Sequence, residues 1–211
     1  MKAVQHFCTI TRHKILVMKE CFQVGLYKQG LLHDLSKYSW TEFKVGCKYY
    51  QGDRSPNNAE REATGCSLAW LHHKGRNRHH YEYWIDYGDN KDKTMTGMKM
   101  PVRYVVEMFL DRIAASKIYK GAAYRDTDPL AYFQGGKGQY LMHAETEALL
   151  EKLLKMLAEK GEEETFHYIR LEILKKGKAE AGKSSGERSS THPENEQGGR
   201  QSGVSEEHAG I

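Results

Sequence analysis

The chain has 211 residues, of which 39% are hydrophobic and 28% charged, with a formal net charge of +4. That suits one domain with a substantial core and is too little for two large ones. A mean hydropathy of -0.74, with no apolar run near the ~20 residues that cross a bilayer, excludes a transmembrane helix. Residues 1–14 carry His6, Thr9, Thr11, Arg12 and His13 where a secretory signal needs an apolar stretch. A cytoplasmic protein with no membrane partner is expected.

The chain reads as helical nearly throughout. Ile10, Leu16, Val17, Cys21, Phe22 and Val24 recur at helical spacing over residues 5–24, and Gly25 ends the run. A short helix is expected over 30–37. Ser39 and Glu42 have the S-x-x-E spacing of a capping box, opening a helix that runs to residue 50. Ser55-Pro56 reads as the start of a fourth helix, in which Ala59, Ala63, Cys66, Ala69, Trp70 and His73 share a face until Gly75. Residues 86–100 are polar and turn-rich and read as a loop, with no β-hairpin in view. Pro101 opens a strong helix to residue 120, and Asp128-Pro129 a short one. An amphipathic helix follows over 140–160 with Gly161 as its cap, then a last helix over 162–176.

Residues 177–211 hold seven glycines, many Ser and Glu, and no aromatic residue. Such a segment buries too little to offset its ordering entropy, so it reads as a disordered low-complexity tail. The expected organisation is therefore an all-α domain over 1–176 and a tail over 177–211. Cys8, Cys21, Cys47 and Cys66 form no C-x-x-C pair and sit in apolar-periodic segments, which reads as free, buried thiols.

Histidine is the unusual component. Seven of the 11 histidines lie in the first 80 positions, and residues 1–120 carry 20 Lys and Arg against 12 Asp and Glu. A basic region rich in imidazole suits a metal site that receives a phosphate-bearing ligand. In Leu31-Leu32-His33-Asp34-Leu35-Ser36-Lys37 a nitrogen ligand and a carboxylate stand side by side at the end of an apolar segment, where a charge is costly unless a cation meets it. His13 lies on the preceding helix, and Asp111 is an acid embedded in the apolar run Phe109-Leu110-Asp111-Arg112-Ile113.

This arrangement resembles the HD-domain superfamily of metal-dependent phosphohydrolases, in which a His on one helix, a His-Asp pair in an L-L-H-D-x-x-K setting and a later Asp form the metal site. His13, His33-Asp34 with Lys37, and Asp111 match in type, order and approximate spacing, over residues 5–120. The resemblance implies an HD-like helical bundle in which those four residues hold one ion. Trp70-Leu71-His72-His73-Lys74-Gly75-Arg76-Asn77-Arg78-His79-His80 resembles the extra histidines by which two-metal members hold a second. His73 continues an apolar face and is preferred as ligand over His72, and His80 over His79. Asp34 bridges, as the resemblance implies, and the segment departs from the superfamily in having no G-Y-P sequence after the pair.

The expected activity is hydrolysis of a phosphate ester, a nucleotide or cyclic nucleotide, by a metal-bound hydroxide. Asp34, Lys37, His72 and His79 are assigned to catalysis, the two histidines as neighbours that orient ligands or substrate. Lys37, Arg76 and Arg78 are assigned to the substrate's phosphate oxygens. The cofactor is one or two divalent ions, for which imidazole and carboxylate ligands suit Mn, Fe or Co, with Mg as a further candidate. Two other readings come from the same residues: a diiron oxygenase, and a non-catalytic nucleic-acid-binding protein using the basic turn at 74–78 with nearby aromatics.

Overall fold

The computed structural model describes residues 2–89 and 94–175. They form helices α1 (Lys2–Val24), α2 (Tyr27–Leu32), α3 (Trp40–Tyr49), α4 (Pro56–Thr64) and α5 (Leu68–Lys74), then strands β1 (Ile85–Tyr87) and β2 (Met95–Gly97), then α6 (Val102–Lys120), α7 (Asp128–Gly135) and α8 (Ala144–Tyr168). The fold is all-α apart from that one small antiparallel pair.

The core is built round α6. Val105, Val106, Met108, Phe109, Leu110, Ile113 and Ala114 are all buried, the pattern of a helix enclosed by others on nearly every side. Val17, Cys21 and Val24 of α1 and Leu150, Leu153, Leu154 and Leu157 of α8 complete the same cluster. Burying each large apolar side chain contributes about 1.5–3 kcal/mol, so α1 and α6 become rigid carriers of the polar groups they hold. On α1, His13 lies in the buried stripe with Ile10 and Val17. On α6, Glu107 and Asp111 stand one turn apart on one face.

Gly30 lets α2 press onto α1. A β-carbon there would lie 2.9 Å from Cys21 Cβ and 3.1 Å from the Met18 carbonyl oxygen. Lys14 locks the same joint by donating to the carbonyls of Leu31 (2.8 Å) and His33 (3.0 Å).

Several local expectations are corrected. The helix expected over 30–37 is α2 followed by a 3-10 turn, Leu35–Tyr38, because His33 leaves helical geometry and Asp34 takes a left-handed φ of 55°. Ser39 begins α3, but its hydroxyl makes no capping bond and Glu42 is buried, so the pair is not a capping box. The helix expected over 55–75 breaks at Gly65, and Ser67 caps α5 by accepting from the Trp70 amide at 3.0 Å. In consequence Ala63 and Cys66 are exposed, while Ala59, Ala69 and His73 are buried.

Residues 86–100 contain part of a hairpin, with Asp86 opposite Thr96; three-residue strands are too short to show alternation. The helix expected over 140–160 begins at Ala144, and Gly161 interrupts it with a φ of 79° without ending it. A π turn, Ile169–Ile173, then takes the place of a separate last helix. All four cysteines are free, but only Cys21 is fully buried. The tail expected over 177–211 lies outside the described residues.

Candidate metal centre

Chain segments remote in sequence converge on Asp34. This residue sits between α2 and the 3-10 turn and is the single non-glycine residue with positive φ among those described. A left-handed conformation is costly for an L-residue and persists where the surroundings impose it, commonly at functional sites. Here it places the carboxylate, 1% exposed, among four histidines.

The two carboxylate oxygens face different partners. Oδ2 lies 3.6 Å from His13 Nε2 and 3.3 Å from His33 Nε2. Oδ1 lies 3.3 Å from His73 Nε2 and 3.4 Å from His79 Nε2. Asp111 closes the first side, its Oδ1 being 2.9 Å from His13 Nε2 and 3.5 Å from His33 Nε2. Two groups that can hold a metal ion therefore share Asp34: His13, His33, Asp34 and Asp111, and Asp34, His73, His79 and His80. Within each, the ligand atoms lie within 4.8 Å of one another.

The opposite ring nitrogens are anchored to carboxylates. Glu107 on α6 contacts His33 Nδ1 at 3.0 Å and His79 Nδ1 at 3.3 Å through the same Oε1. Glu42 on α3 contacts His73 Nδ1 at 2.8 Å through Oε2 and His72 Nδ1 at 2.6 Å through Oε1. A carboxylate on Nδ1 fixes the ring's tautomer and turns Nε2 toward the centre, the usual support for a metal-ligating histidine. His33, His79 and Glu107 are themselves close enough to count as a third group, but Glu107 Oε1 is already engaged by the two Nδ1 atoms.

The inward-facing atoms are unsatisfied. His13 Nε2, His33 Nε2, His79 Nε2, His80 Nε2 and Asp34 Oδ1 are buried without a hydrogen-bond partner, the short contacts among them lacking the alignment of a bond, and Asp34 Oδ2 is met only by the Lys37 ammonium, at 2.6 Å. Each such atom costs about 1–3 kcal/mol, and so many pointing inward together fit a divalent cation as their common partner. Burial pushes the carboxyl groups of Asp34 and Asp111 up, but the adjacent histidines, with Lys37 beside Asp34, outweigh it and hold both well below the usual carboxylate range. Both are thus ionised, as ligands must be. Burial, with His79 and His73 alongside, holds the His80 ring well below the usual histidine range, so it too presents a free nitrogen lone pair.

Residues 2–156 match a family described as "Family of unknown function (DUF5662)". The chain belongs to the DUF5662 family. The matched span contains His13, His33, Asp34, Glu42, His73, His79, His80, Glu107 and Asp111. No curated protein and no solved structure matches this DUF5662 chain.

The structure brings together all six residues expected as metal ligands: His13, His33, Asp34, His73, His80 and Asp111. It also adds His79, expected in catalysis but not as a ligand, which is 2% exposed and as close to Asp34 as His73 is. His72 stays outside both groups, behind Glu42. Beyond Gly75 the side chains alternate, Asn77 and His79 inward, Arg76 and Arg78 outward. Arg76 reaches only the His72 carbonyl (3.5 Å), and Arg78 rests over the Tyr83 ring at 5.7 Å.

The centre opens on a cavity of about 750 Å³ lined by His13, Lys37, His73, His80 and Asp111 among others. Arg76 and Arg78 are not in its wall. Lys37 is, with its Nζ 2.6 Å from Asp34 Oδ2. Arg112, the residue after Asp111, is the cation that sequence reasoning missed. Its Nε is buried without a partner, and its guanidinium lies 5.8–5.9 Å from the rings of Tyr132, Phe133 and Tyr140. Among the described residues no carboxylate pairs with it; of the cavity's other arginines and lysines, Arg54 pairs with Glu62 and Lys120 with Asp128, while Arg61 donates to Asn58 Oδ1 at 3.0 Å.

Proposed function

We propose that the protein is an HD-type metal-dependent phosphohydrolase acting on a phosphate ester, a nucleotide or cyclic nucleotide. The observation that carries this reading is the sharing of Asp34 by two His/Asp groups whose unpartnered atoms converge beside a cavity holding Lys37 and an unpaired Arg112. The order His13, His33-Asp34, Asp111 along the chain supports it as a resemblance.

Divalent ions, Mn, Fe or Co by donor type and Mg as a further candidate, supply Lewis acidity and hydroxide near neutral pH when bound in such a site. His13, His33, Asp34 and Asp111 would hold one, and His73, His79 and His80 with Asp34 the other. Glu107 and Glu42 keep the rings turned inward. Burial alone would lower the Lys37 pKa, but Asp34 and then Asp111 raise it, so its ammonium stays charged and faces the oxygens on which charge develops. Arg112 can grip two phosphate oxygens at once, and the aromatic rings around it hold the guanidinium in place.

The test is metal analysis of the purified full chain, joined to a phosphate-release assay over a panel of nucleotides. One or two ions per chain and turnover of at least one nucleotide are expected, with Asp34→Asn losing both. A chain that stays metal-free and inert after reloading with Mn²⁺, Fe²⁺ or Co²⁺ overturns the reading. Oxygen consumption by iron-loaded protein, without phosphate release, would replace it with the oxygenase.

A further inference from the structure

His6 and His13 share one face of α1, two turns and about 10 Å apart along the axis, and both line the cavity. His6 is 6% exposed; its Nδ1 is enclosed by the protein without a partner, so the nitrogen a cavity occupant can reach is Nε2, which no described residue hydrogen-bonds. The Nε2 edge lies against α3: a β-carbon at Gly46 would fall 2.0 Å from His6 Nε2, so the ring occupies space that only glycine leaves open. Phe43 and Tyr50 flank the ring at centroid distances of 5.5 and 5.9 Å. Burial, reinforced by the charge of Lys37, pushes the His6 pKa down to about 4, so the imidazole is neutral. Beside it, the Thr9 hydroxyl donates to the Gln5 carbonyl at 3.0 Å, which leaves Tyr50 as donor in its 2.9 Å contact with Thr9. Thr9 and Tyr50 also line the cavity.

A buried, neutral hydrogen-bonding group that lacks a protein partner is costly unless something else meets it. The cavity volume falls in the range, ~300–1,000 Å³, of pockets for small organic molecules, far more than a lone phosphate fills. Trp70, Tyr81, Tyr119 and Tyr140 add aromatic surface to its wall, and such surface stacks on bases.

We infer that His6 is a specificity residue: it hydrogen-bonds the uncharged edge of a nucleobase whose phosphate lies at the Asp34 cluster. The inference rests on the phosphohydrolase reading and names the residue that recognises the base of its nucleotide substrate. A nucleoside spans the two turns of α1 between His6 and His13, which inorganic phosphate does not. His6 touches the substrate's recognition end and takes no part in the bond that breaks.

The experiment is calorimetric titration of the Mn²⁺-loaded full chain with inorganic phosphate and with AMP, GMP, CMP and UMP. Wild type is compared with His6→Phe, which keeps a flat ring without hydrogen bonds, and with His6→Gln, which restores a neutral donor and acceptor. Inorganic phosphate is expected to bind all three proteins alike. At least one nucleotide should bind wild type more tightly than phosphate does, lose about tenfold in His6→Phe, a hydrogen bond's worth, and recover in part in His6→Gln. Should His6→Phe fail to fold, Gly46→Ala serves instead, since its β-carbon displaces the ring without removing it, and the same loss is expected. A nucleotide preference that survives these changes overturns the inference, as does nucleotide binding no tighter than that of phosphate, which would leave His6 to an ordered water. Absence of both Mn²⁺ uptake and phosphate binding overturns the phosphohydrolase reading, and this inference with it.

Discussion

Glu107 holds His33 by its Nδ1 at 3.0 Å, and this contact aims the ring's other nitrogen at Asp34. The same carboxylate oxygen reaches His79, so one residue of α6 orients a ring in each of the two groups. Removing such a support costs about 10–100-fold in metal affinity while leaving every ligand present. Glu107→Gln is therefore expected to bind Mn²⁺ more weakly by that factor, read by titration of the metal-free protein. Affinity equal to wild type would show that the rings are held by packing alone.

Positive charge in the cavity wall comes from Lys37, Arg54, Arg61, Arg112 and Lys120, not from the basic turn after α5. Arg112→Gln is expected to raise KM for a nucleotide substrate at least tenfold, the loss of a charge-assisted contact of about 1.5–3 kcal/mol. Arg76→Ala and Arg78→Ala, on solvent-facing side chains, should leave KM within twofold. Steady-state kinetics of the three variants decides between the two sets, and a large effect at Arg78 with none at Arg112 would reverse the assignment.

The ligand types were legible because acids and histidines stand out in apolar helices: Asp111 within Phe109-Leu110-Asp111-Arg112-Ile113, and His33-Asp34 after two leucines. The supporting carboxylates were not. Glu42 satisfied a capping-box spacing that the helix does not use, and Glu107 lies four residues before Asp111 among core residues with no local signal beyond that i, i+4 relation. His79 was masked by its neighbour, since which of two adjacent histidines turns inward depends on the irregular chain after Gly75, where no period applies. The helices themselves followed their apolar stripes, and the missed breaks at Asp34 and Gly65 are both left-handed residues. At Gly65 the residue type carried the signal for a break and the continuing apolar face hid it, whereas at Asp34 the residue type carried none.

On the proposed reading, metal removal should be visible in stability as well as activity, because a bound ion would give the orphaned nitrogens around Asp34 the partner they lack. An ion present at 100 times its Kd adds about 2.7 kcal/mol per site, and for a domain of this size each kcal/mol moves Tm by about 2–4 °C. Chelation is thus expected to lower Tm by roughly 5–10 °C per site, reversibly, in a thermal melt followed by circular dichroism. Asp34→Asn should melt at one temperature with or without chelator; a chelator shift that persists in this variant would place the bound ion elsewhere.

Glu20 on α1 provides a pH dependence separate from the metal cluster. It is 2% exposed and contacts Lys117 Nζ at 2.9 Å. Burial raises its pKa to about 7, and the opposing attraction of Lys117 only limits the rise. Between pH 4.5 and 7 the unfolded chain has released this proton while the folded chain still holds it, so the stability it contributes is complete below 4.5 and is lost as pH rises through 7. The shift corresponds to a loss of up to about 3 kcal/mol. Glu20→Gln, which cannot ionise, does not suffer it. The variant's unfolding free energy relative to wild type should therefore grow by about that amount between pH 4.5 and 8, measured by urea denaturation at a series of pH values. A difference that stays flat over this range would mean that Glu20 is ionised in the folded protein throughout, held by Lys117 despite its burial.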